Sequence, residues 1–316
     1  MKIIVLDGYA ANPNDLSWEG LARLGELTVY DRTPVREIPA RIGDAEVVFT
    51  NKAPITRQTL AACPNVKFIG VLATGYNIVD VDACRERGVA LCNVPAYSTR
   101  DVAQLTFALL LELCHHVGAH SMGVTDQGKW ASQPYYCYWD YPLIELRGKT
   151  MGILGLGRIG ARVSEIARAF GMDVIACSRT PKALPGVRMV DFDALLSESD
   201  VLSLNCPLND ETRGLIDISA LRRMKPTALL INTARGPVVV ESDLRQALDQ
   251  GIIAGAAVDV LSAEPPKADD PLLKARNIIV TPHIAWATGE ARARLLETVR
   301  ANLAAWLRGE KRNALT

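Results

Sequence analysis

Along the first hundred residues, short apolar runs alternate with stretches in which apolar side chains recur every three or four positions. Ile3–Leu6, Leu27–Tyr30, Val47–Thr50, Phe68–Val71 and Val89–Cys92 read as strands. Strands separated by helical stretches predict a parallel sheet with helices on its faces, here a small α/β domain. Asn93-Val94-Pro95-Ala96-Tyr97-Ser98 breaks this rhythm. Ser98 or Thr99 then caps a long, apolar-rich helix expected to run to about Val117 and to open a second domain. From Thr150 the alternation returns: an apolar run (Met151–Leu154), a glycine-rich turn, a helical pattern (Ile159, Val163, Ile166, Ala167, Phe170) ended by Gly171, and a further run (Val174–Cys177). Runs at Val187–Val190, Val201–Asn205, Ala228–Asn232, Ala254–Val258 and Ile278–Thr281 bring this second sheet to about seven strands. Thr288–Leu307 closes the pattern as one amphipathic helix, with Ala291, Leu295, Leu296, Val299, Leu303 and Trp306 on its apolar stripe.

The turn after Leu154 spaces its glycines as Gly155, Gly157 and Gly160, in the strand–turn–helix–strand setting that a dinucleotide fingerprint requires. Gly155 permits the tight turn, Gly157 lets backbone approach a pyrophosphate, and Gly160 permits close packing of helix on sheet. The helix N-terminus adds free N–H groups and partial positive charge. The fold class is therefore α/β, with a doubly wound Rossmann domain and a smaller α/β domain.

Composition narrows the partners. At 49% apolar and 22% charged, the 316 residues suit a globular protein with room for two domains. Lys plus Arg balance Asp plus Glu at 35 each, which argues against a nucleic-acid surface and for a small-molecule ligand. The longest apolar run, Leu105–Leu111, is too short for a bilayer, and Asp7 interrupts any signal-peptide core; no membrane role and cytoplasmic residence are expected. Seven cysteines without C-x-x-C spacing fit reduced, mostly buried thiols. His116 and His120 stand four apart without a third ligand of fitting spacing, so they are taken as solvated or packing side chains and no metal is expected. The aromatic segment Trp130–Pro142 suits an interface or a tuck against its own subunit.

Chemistry-bearing residues gather just after strands, where parallel sheets bind ligands. In the first domain these are Lys52, after Val47–Thr50, and the turn Ala73-Thr74-Gly75, after Phe68–Val71; either turn offers backbone N–H groups to a substrate carboxylate. In the second domain Arg235 follows one strand, Asp259 and Glu264 the next, and His283 the last. An arginine forks a carboxylate and polarises a ketone, and a histidine donates a proton as hydride arrives. A glutamate bonded to the imidazole favours its protonated form.

These segments carry a resemblance. GLGRIG with its helix, Leu204–Ile216, Ile231–Glu241, Ala256–Pro266 and Thr281–Thr288 resemble the D-isomer-specific 2-hydroxyacid dehydrogenases, and the likeness extends over essentially the entire chain. It implies that Arg235, Glu264 and His283 are catalytic and that Asp259 holds the nicotinamide carboxamide. The implied cofactor contacts are Gly155, Gly157, Arg158, Ile159 and Gly160 in the turn, and Ser178, Arg179 and Thr180 after the second strand. Cys206, Pro207, Thr212, Thr233, Ala234, Asp259 and His283 complete that set. Lys52, Ala73, Thr74, Gly75, Arg235, His283 and Trp286 are the implied substrate contacts. The family layout implies a discontinuous, flavodoxin-like substrate domain (1–98 and 287–316), a nucleotide domain (99–286), and a homodimer with Trp130–Pro142 near the partner's site.

Within the family, the N-terminal segment, Leu72–Asp80 and Thr281–Thr288 look most like glycerate dehydrogenases, also called hydroxypyruvate reductases. The expected reaction is reduction of hydroxypyruvate, and also glyoxylate, with Trp286 and Ala73–Gly75 shaping room for a hydroxymethyl group. Two departures stand out: Asn205 where many members have histidine, and Ser178 where an acid would accept the adenosine ribose. Without that acid, Ser178-Arg179-Thr180 suits a 2′-phosphate, so NADP(H) is expected over NAD(H), which remains usable. A nucleotide-sensing corepressor-like binding protein on the same fold is the alternative.

Overall fold

In the computed structural model, which describes residues 1–180 and 182–316, the five apolar runs of the first hundred residues are parallel strands: β1 (Lys2–Val5), β2 (Glu26–Val29), β3 (Val47–Thr50), β4 (Phe68–Val71) and β5 (Ala90–Cys92). Their order is β2-β1-β3-β4-β5. The strand order reverses between β1 and β3, so their carboxyl ends form the crevice where such sheets bind ligands. Both faces are covered, which is why β3 and β4 read as unbroken apolar runs with every residue buried.

This unit comprises Met1–Ser98 and Ala287–Thr316. The returning segment is the helix Gly289–Leu307, opened by Thr288, whose side chain accepts from the Ala291 amide. Leu295, Val299 and Leu303 are buried, and the Trp306 ring lies 5.3 Å from Phe68 on β4. Arg292, only 7% exposed, forks Asp15 with bonds of 2.6 and 2.5 Å and donates through Nε to the Ala287 carbonyl, pinning the start of the helix.

The second unit, Thr99–Trp286, holds seven parallel strands: β6 (Thr150–Leu154), β7 (Asp173–Cys177), β8 (Arg188–Met189), β9 (Val201–Leu204), β10 (Leu229–Asn232), β11 (Gly255–Val258) and β12 (Ile278–Val280). Their order, β12-β11-β10-β9-β6-β7-β8, reverses between β6 and β9. One face buries Leu154, Leu202, Leu230 and Ala256; the other buries Met151, Ile153, Ile231 and Ala257 beneath Phe107, Leu110 and Val163. The doubly wound α/β class expected from the alternation is the observed one.

The long helix ends close to the expected Val117, but a second helix that the pattern does not announce follows it. The first spans Thr99–His115 and stops, because His116 takes a left-handed conformation (φ 48°) and a new helix, Val117–Thr125, departs at 57°. His116 and His120 therefore do not share one continuous helical face. The His116 ring lies 4.4 Å from Tyr141, and His120 Nε2 accepts from the Asp140 amide, so both pack the aromatic segment onto its own unit. Among the described residues no single helix is long and apolar enough to cross a membrane.

Candidate active site

At the β6–β9 reversal the three glycines do different work. Gly155 has φ +95°, and a Cβ there would stand 2.8 Å from the backbone of Asn205 and Cys206, so only glycine lets the turn close against the end of β9. A Cβ on Gly160 would stand 2.3 Å from the Gly155 carbonyl oxygen, so helix-on-turn packing requires this glycine. Gly157 has nothing within 4 Å of its Cβ position. It caps the helix Arg158–Ala169 without any side-chain hydrogen bond, so the first helical turn faces open space, flanked by exposed Arg158 and half-buried Ile159. An anion fits that place, since uncapped N–H groups and the helix dipole both favour it.

After β9, the chain folds into a self-braced loop. The Thr212 hydroxyl donates to the Pro207 carbonyl at 2.7 Å, and Thr212 and Asn209 exchange amide bonds at 2.9 Å. Cys206 is buried, and burial pushes its thiol up to about 11, leaving its sulfur an inert wall. Asn205 gives its Nδ2 to Ser203 Oγ at 3.0 Å, while its buried Oδ1 has no partner among the described residues. After β7, Ser178 is half-buried and Thr180 exposed, and the exposed Arg179 guanidinium lies 3.8 Å from Glu211.

Arg235, Glu264 and His283 follow β10, β11 and β12, three adjacent strands. Asn232, 1% exposed, shapes the first turn: its Oδ1 accepts from the Ala234 amide and its Nδ2 donates to the Arg235 carbonyl, both at 3.0 Å. Thr233 is held below by a 3.1 Å contact with Thr106. A Cβ on Gly236 would stand 2.0 Å from the Leu261 carbonyl carbon, so the Arg235 turn and the Glu264 loop touch backbone to backbone. Glu264 anchors itself by accepting from the Leu261 amide at 3.0 Å through Oε1, and its Oε2 lies 2.6 Å from His283 Nδ1. Arg235 is exposed, with Nη1 donating to its neighbour's carbonyl at Ala234.

His283 sits at φ +54°, a conformation uncommon for a side chain of this size. Asp259 holds it there. Its carboxylate, 1% exposed, accepts from the Thr281 hydroxyl (2.6 Å) and from the amides of Ile284 (2.9 Å) and Ala285 (2.8 Å), and its carbonyl accepts from the His283 amide at 2.8 Å. The resemblance assigns this residue to the nicotinamide carboxamide; the bonds observed are those of a brace for the histidine turn. Trp286, half-buried, follows three residues later.

In the first unit, the carboxyl ends of β1, β3 and β4 converge on one network. The amides of Asn51, Lys52 and Ala53 all donate to Asp7, at 2.7, 2.5 and 2.8 Å. That corrects one expectation: the backbone N–H groups of this turn are already filled by a carboxylate, and only the exposed Lys52 side chain is left to meet a substrate. The second turn keeps its amides. Ala73 accepts from the Val94 amide, Thr74 accepts from Asn93 Nδ2 and donates its hydroxyl to the Val94 carbonyl. The amides of Thr74 and Gly75 have no partner among the described residues. Asp7 and Asn232 escape a reading of the sequence for site residues, although Asn232 ends an apolar strand three positions before Arg235 and Asp7 stands directly after the first apolar run.

Comparison with known proteins agrees with this chemistry. A family model described as "D-isomer specific 2-hydroxyacid dehydrogenase, NAD binding domain" matches residues 107–285. A hydroxypyruvate reductase from Blautia hydrogenotrophica is 50% identical, the match covering 100% of this chain and 99% of that protein. A glycerate dehydrogenase from Methylorubrum extorquens is 37% identical over 92% of each chain. A solved structure from Thermus thermophilus superposes with a TM-score of 0.90 at 34% identity over 100% of both chains. With the glycine turn, the Glu264–His283 pair and Arg235 on one sheet edge, the chain belongs to the D-isomer-specific 2-hydroxyacid dehydrogenase family, oxidoreductases that use a nicotinamide cofactor.

Proposed function

We propose that this enzyme reduces hydroxypyruvate to D-glycerate, and glyoxylate to glycolate, with a nicotinamide cofactor as hydride source. The observation that carries the reading is the 2.6 Å contact between Glu264 Oε2 and His283 Nδ1, because it orients the imidazole so that Nε2 is the nitrogen left to serve the substrate. The names of the two relatives set the substrate class.

The cofactor's bound nicotinamide supplies the hydride; the side chains do the rest. The first turn of the helix at Gly157, with Arg158, Ile159 and Gly160, would hold the cofactor's pyrophosphate. Cys206, Pro207 and Thr212 after β9, and Thr233, Ala234 and Asp259 after β10 and β11, would line the rest of the cofactor, and the unpaired Asn205 Oδ1 would offer it a buried acceptor. Arg235 forks the substrate carboxylate and polarises the ketone. His283 Nε2 gives its proton to the ketone oxygen while hydride reaches the carbon, and Glu264 keeps the ring oriented for that transfer. On the first unit, Lys52 and the free amides of Thr74 and Gly75 offer donors suited to a carboxylate; on the second, half-buried Trp286, three residues after His283, is the side chain proposed to favour a hydroxymethyl group. A site that bonds that hydroxyl rejects an analogue without it far better than an apolar wall would.

For the cofactor we favour NADP(H), with NAD(H) usable. Ser178, Arg179 and Thr180 offer two hydroxyls and a guanidinium to a 2′-phosphate, and the exposed 3.8 Å pairing of Arg179 with Glu211 is too weak to hold the guanidinium back. A homodimer fits the exposed Tyr135, Tyr136 and Trp139, at 74, 88 and 65% exposure. Seven free cysteines suit the reducing cytoplasm. A panel of hydroxypyruvate, glyoxylate and pyruvate, each with NADH and NADPH and followed by nicotinamide absorbance, tests the proposal. Equal kcat/KM on pyruvate and hydroxypyruvate would leave a generic 2-oxo-acid reductase, and no cofactor oxidation with any of them would overturn the reading.

A further inference from the structure

Asp7 is a partly buried acid that the proposed chemistry does not use, and it stands at the most ligand-prone point of its sheet. It follows β1, the strand at which the order reverses toward β3, and Asn51–Ala53 begins directly after β3. Three successive amides aimed at one point form an anion-holding nest. Left open, that nest would compete for any carboxylate that came near. Asp7 fills it instead, with Oδ1 on Asn51 and Oδ2 shared between Lys52 and Ala53. The Thr50 hydroxyl closes the same turn on the Ala53 carbonyl at 2.7 Å, and the Asn51 side chain, 7% exposed, donates to the Leu72 carbonyl at 3.2 Å. One carboxylate therefore fixes the backbone on which Lys52 stands and ties it to the chain entering Ala73–Gly75.

We infer that Asp7 is a positioning residue: its carboxylate presets the Lys52 turn so that the ammonium, and not the backbone of that turn, meets the substrate carboxylate. The inference rests on the proposed role of Lys52. Only the ionised acid can do this, because all three partners are donors and a protonated carboxyl or a carboxamide turns a donor of its own toward one of them. Burial pushes the Asp7 carboxyl above its ordinary 3.8, and the amide bonds from Asn51, Lys52 and Ala53 pull against that.

The test uses the full-length enzyme with hydroxypyruvate varied at saturating NADPH, comparing Lys52→Ala, Asp7→Asn and the double variant. Lys52→Ala is expected to raise the KM for the 2-oxo acid by about tenfold, and Asp7→Asn by a similar factor with kcat and cofactor KM within about twofold of wild type. The double variant should be no worse than Lys52→Ala alone, since both changes remove the same contact. An unchanged KM in Asp7→Asn, additive effects in the double variant, or an equal fall in kcat and cofactor binding would overturn the role of Asp7. An unchanged KM in Lys52→Ala would overturn the Lys52 reading itself and this inference with it. Should Asp7→Asn fail to fold, wild-type amide exchange decides: protection at residues 51–53 should be present at neutral pH and lost on acidification at a midpoint above 3.8, whereas fast exchange at neutral pH refutes the brace.

Discussion

Replacing Gly157 by alanine separates the cofactor's needs from the fold's. The residue has an ordinary φ of −80°, and its Cβ position has no neighbour within 4 Å, so the added methyl meets neither strain nor clash. What remains is the poorer cap that alanine makes, about 0.5–1 kcal/mol, or about 1–4 °C in Tm for a unit of this size. The methyl does, however, occupy the space before the first helical turn. Holding a pyrophosphate off by about 1 Å forfeits one charge-assisted bond, about 1.5–3 kcal/mol, which is about a 10- to 150-fold rise in cofactor Kd. Fluorescence titration of NADPH beside a thermal melt reads both quantities. Gly155→Ala is the contrast, because φ +95° and backbone at 2.8 Å make it costly to the fold itself. If Gly157→Ala binds cofactor like wild type, or loses affinity only in step with stability, the pyrophosphate does not sit at this turn.

Other perturbations address the remaining parts. His283→Ala should lower turnover by about 10²–10⁴-fold with cofactor Kd nearly unchanged, since proton transfer alone is lost; near-normal turnover would remove the residue from the mechanism. Gly236→Ala would place a Cβ 2.0 Å from the Leu261 carbonyl carbon and force the two backbones apart, so it should cost about 1–3 kcal/mol of stability and, by moving Arg235 from the Glu264 loop, about 10²-fold in kcat/KM; wild-type kinetics would show that the two loops need not touch. Arg179→Ala should raise the KM for NADPH and spare NADH, and Glu211→Gln should favour NADPH further; unchanged ratios would place the 2′-phosphate elsewhere. The Arg292 bonds hold the Asp15 carboxyl below its ordinary 3.8, so this pair stabilises the fold fully above that value and its contribution fades as pH falls through the lowered one. Acid denaturation of Asp15→Asn should accordingly differ from wild type at neutral pH and converge with it in strong acid.

The parts legible in the sequence share a physical cause. Strands such as β3, β4 and β10 are buried on both faces, so they read as unbroken apolar runs, and in a parallel sheet the residue after each run stands at the ligand edge. Arg235, Glu264 and His283 stand out for that reason. Turns set by single backbone conformations do not: the left-handed histidine at position 116 redirects the chain into a second helix, Val117–Thr125, that hydrophobic spacing does not announce. Nor do contacts between distant segments, since Asp7 meets its amides 44 to 46 positions away and Arg292 meets Asp15 across 277.

The same limit explains why the histidine itself needs so much support. His283 is held at φ +54°, which by itself disfavours the observed conformation, and a strained residue persists only where its surroundings over-determine it. Asp259 does so from both sides, taking the Thr281 hydroxyl before the histidine and the Ile284 and Ala285 amides after it, while Glu264 fixes the ring. Asp259→Asn keeps the shape but replaces one acceptor by a donor. Its expected effect is therefore a loss of kcat from a misdirected imidazole, partly offset in stability as the His283 backbone relaxes. A variant that lost stability but kept kcat would mean that the histidine finds its orientation without the turn.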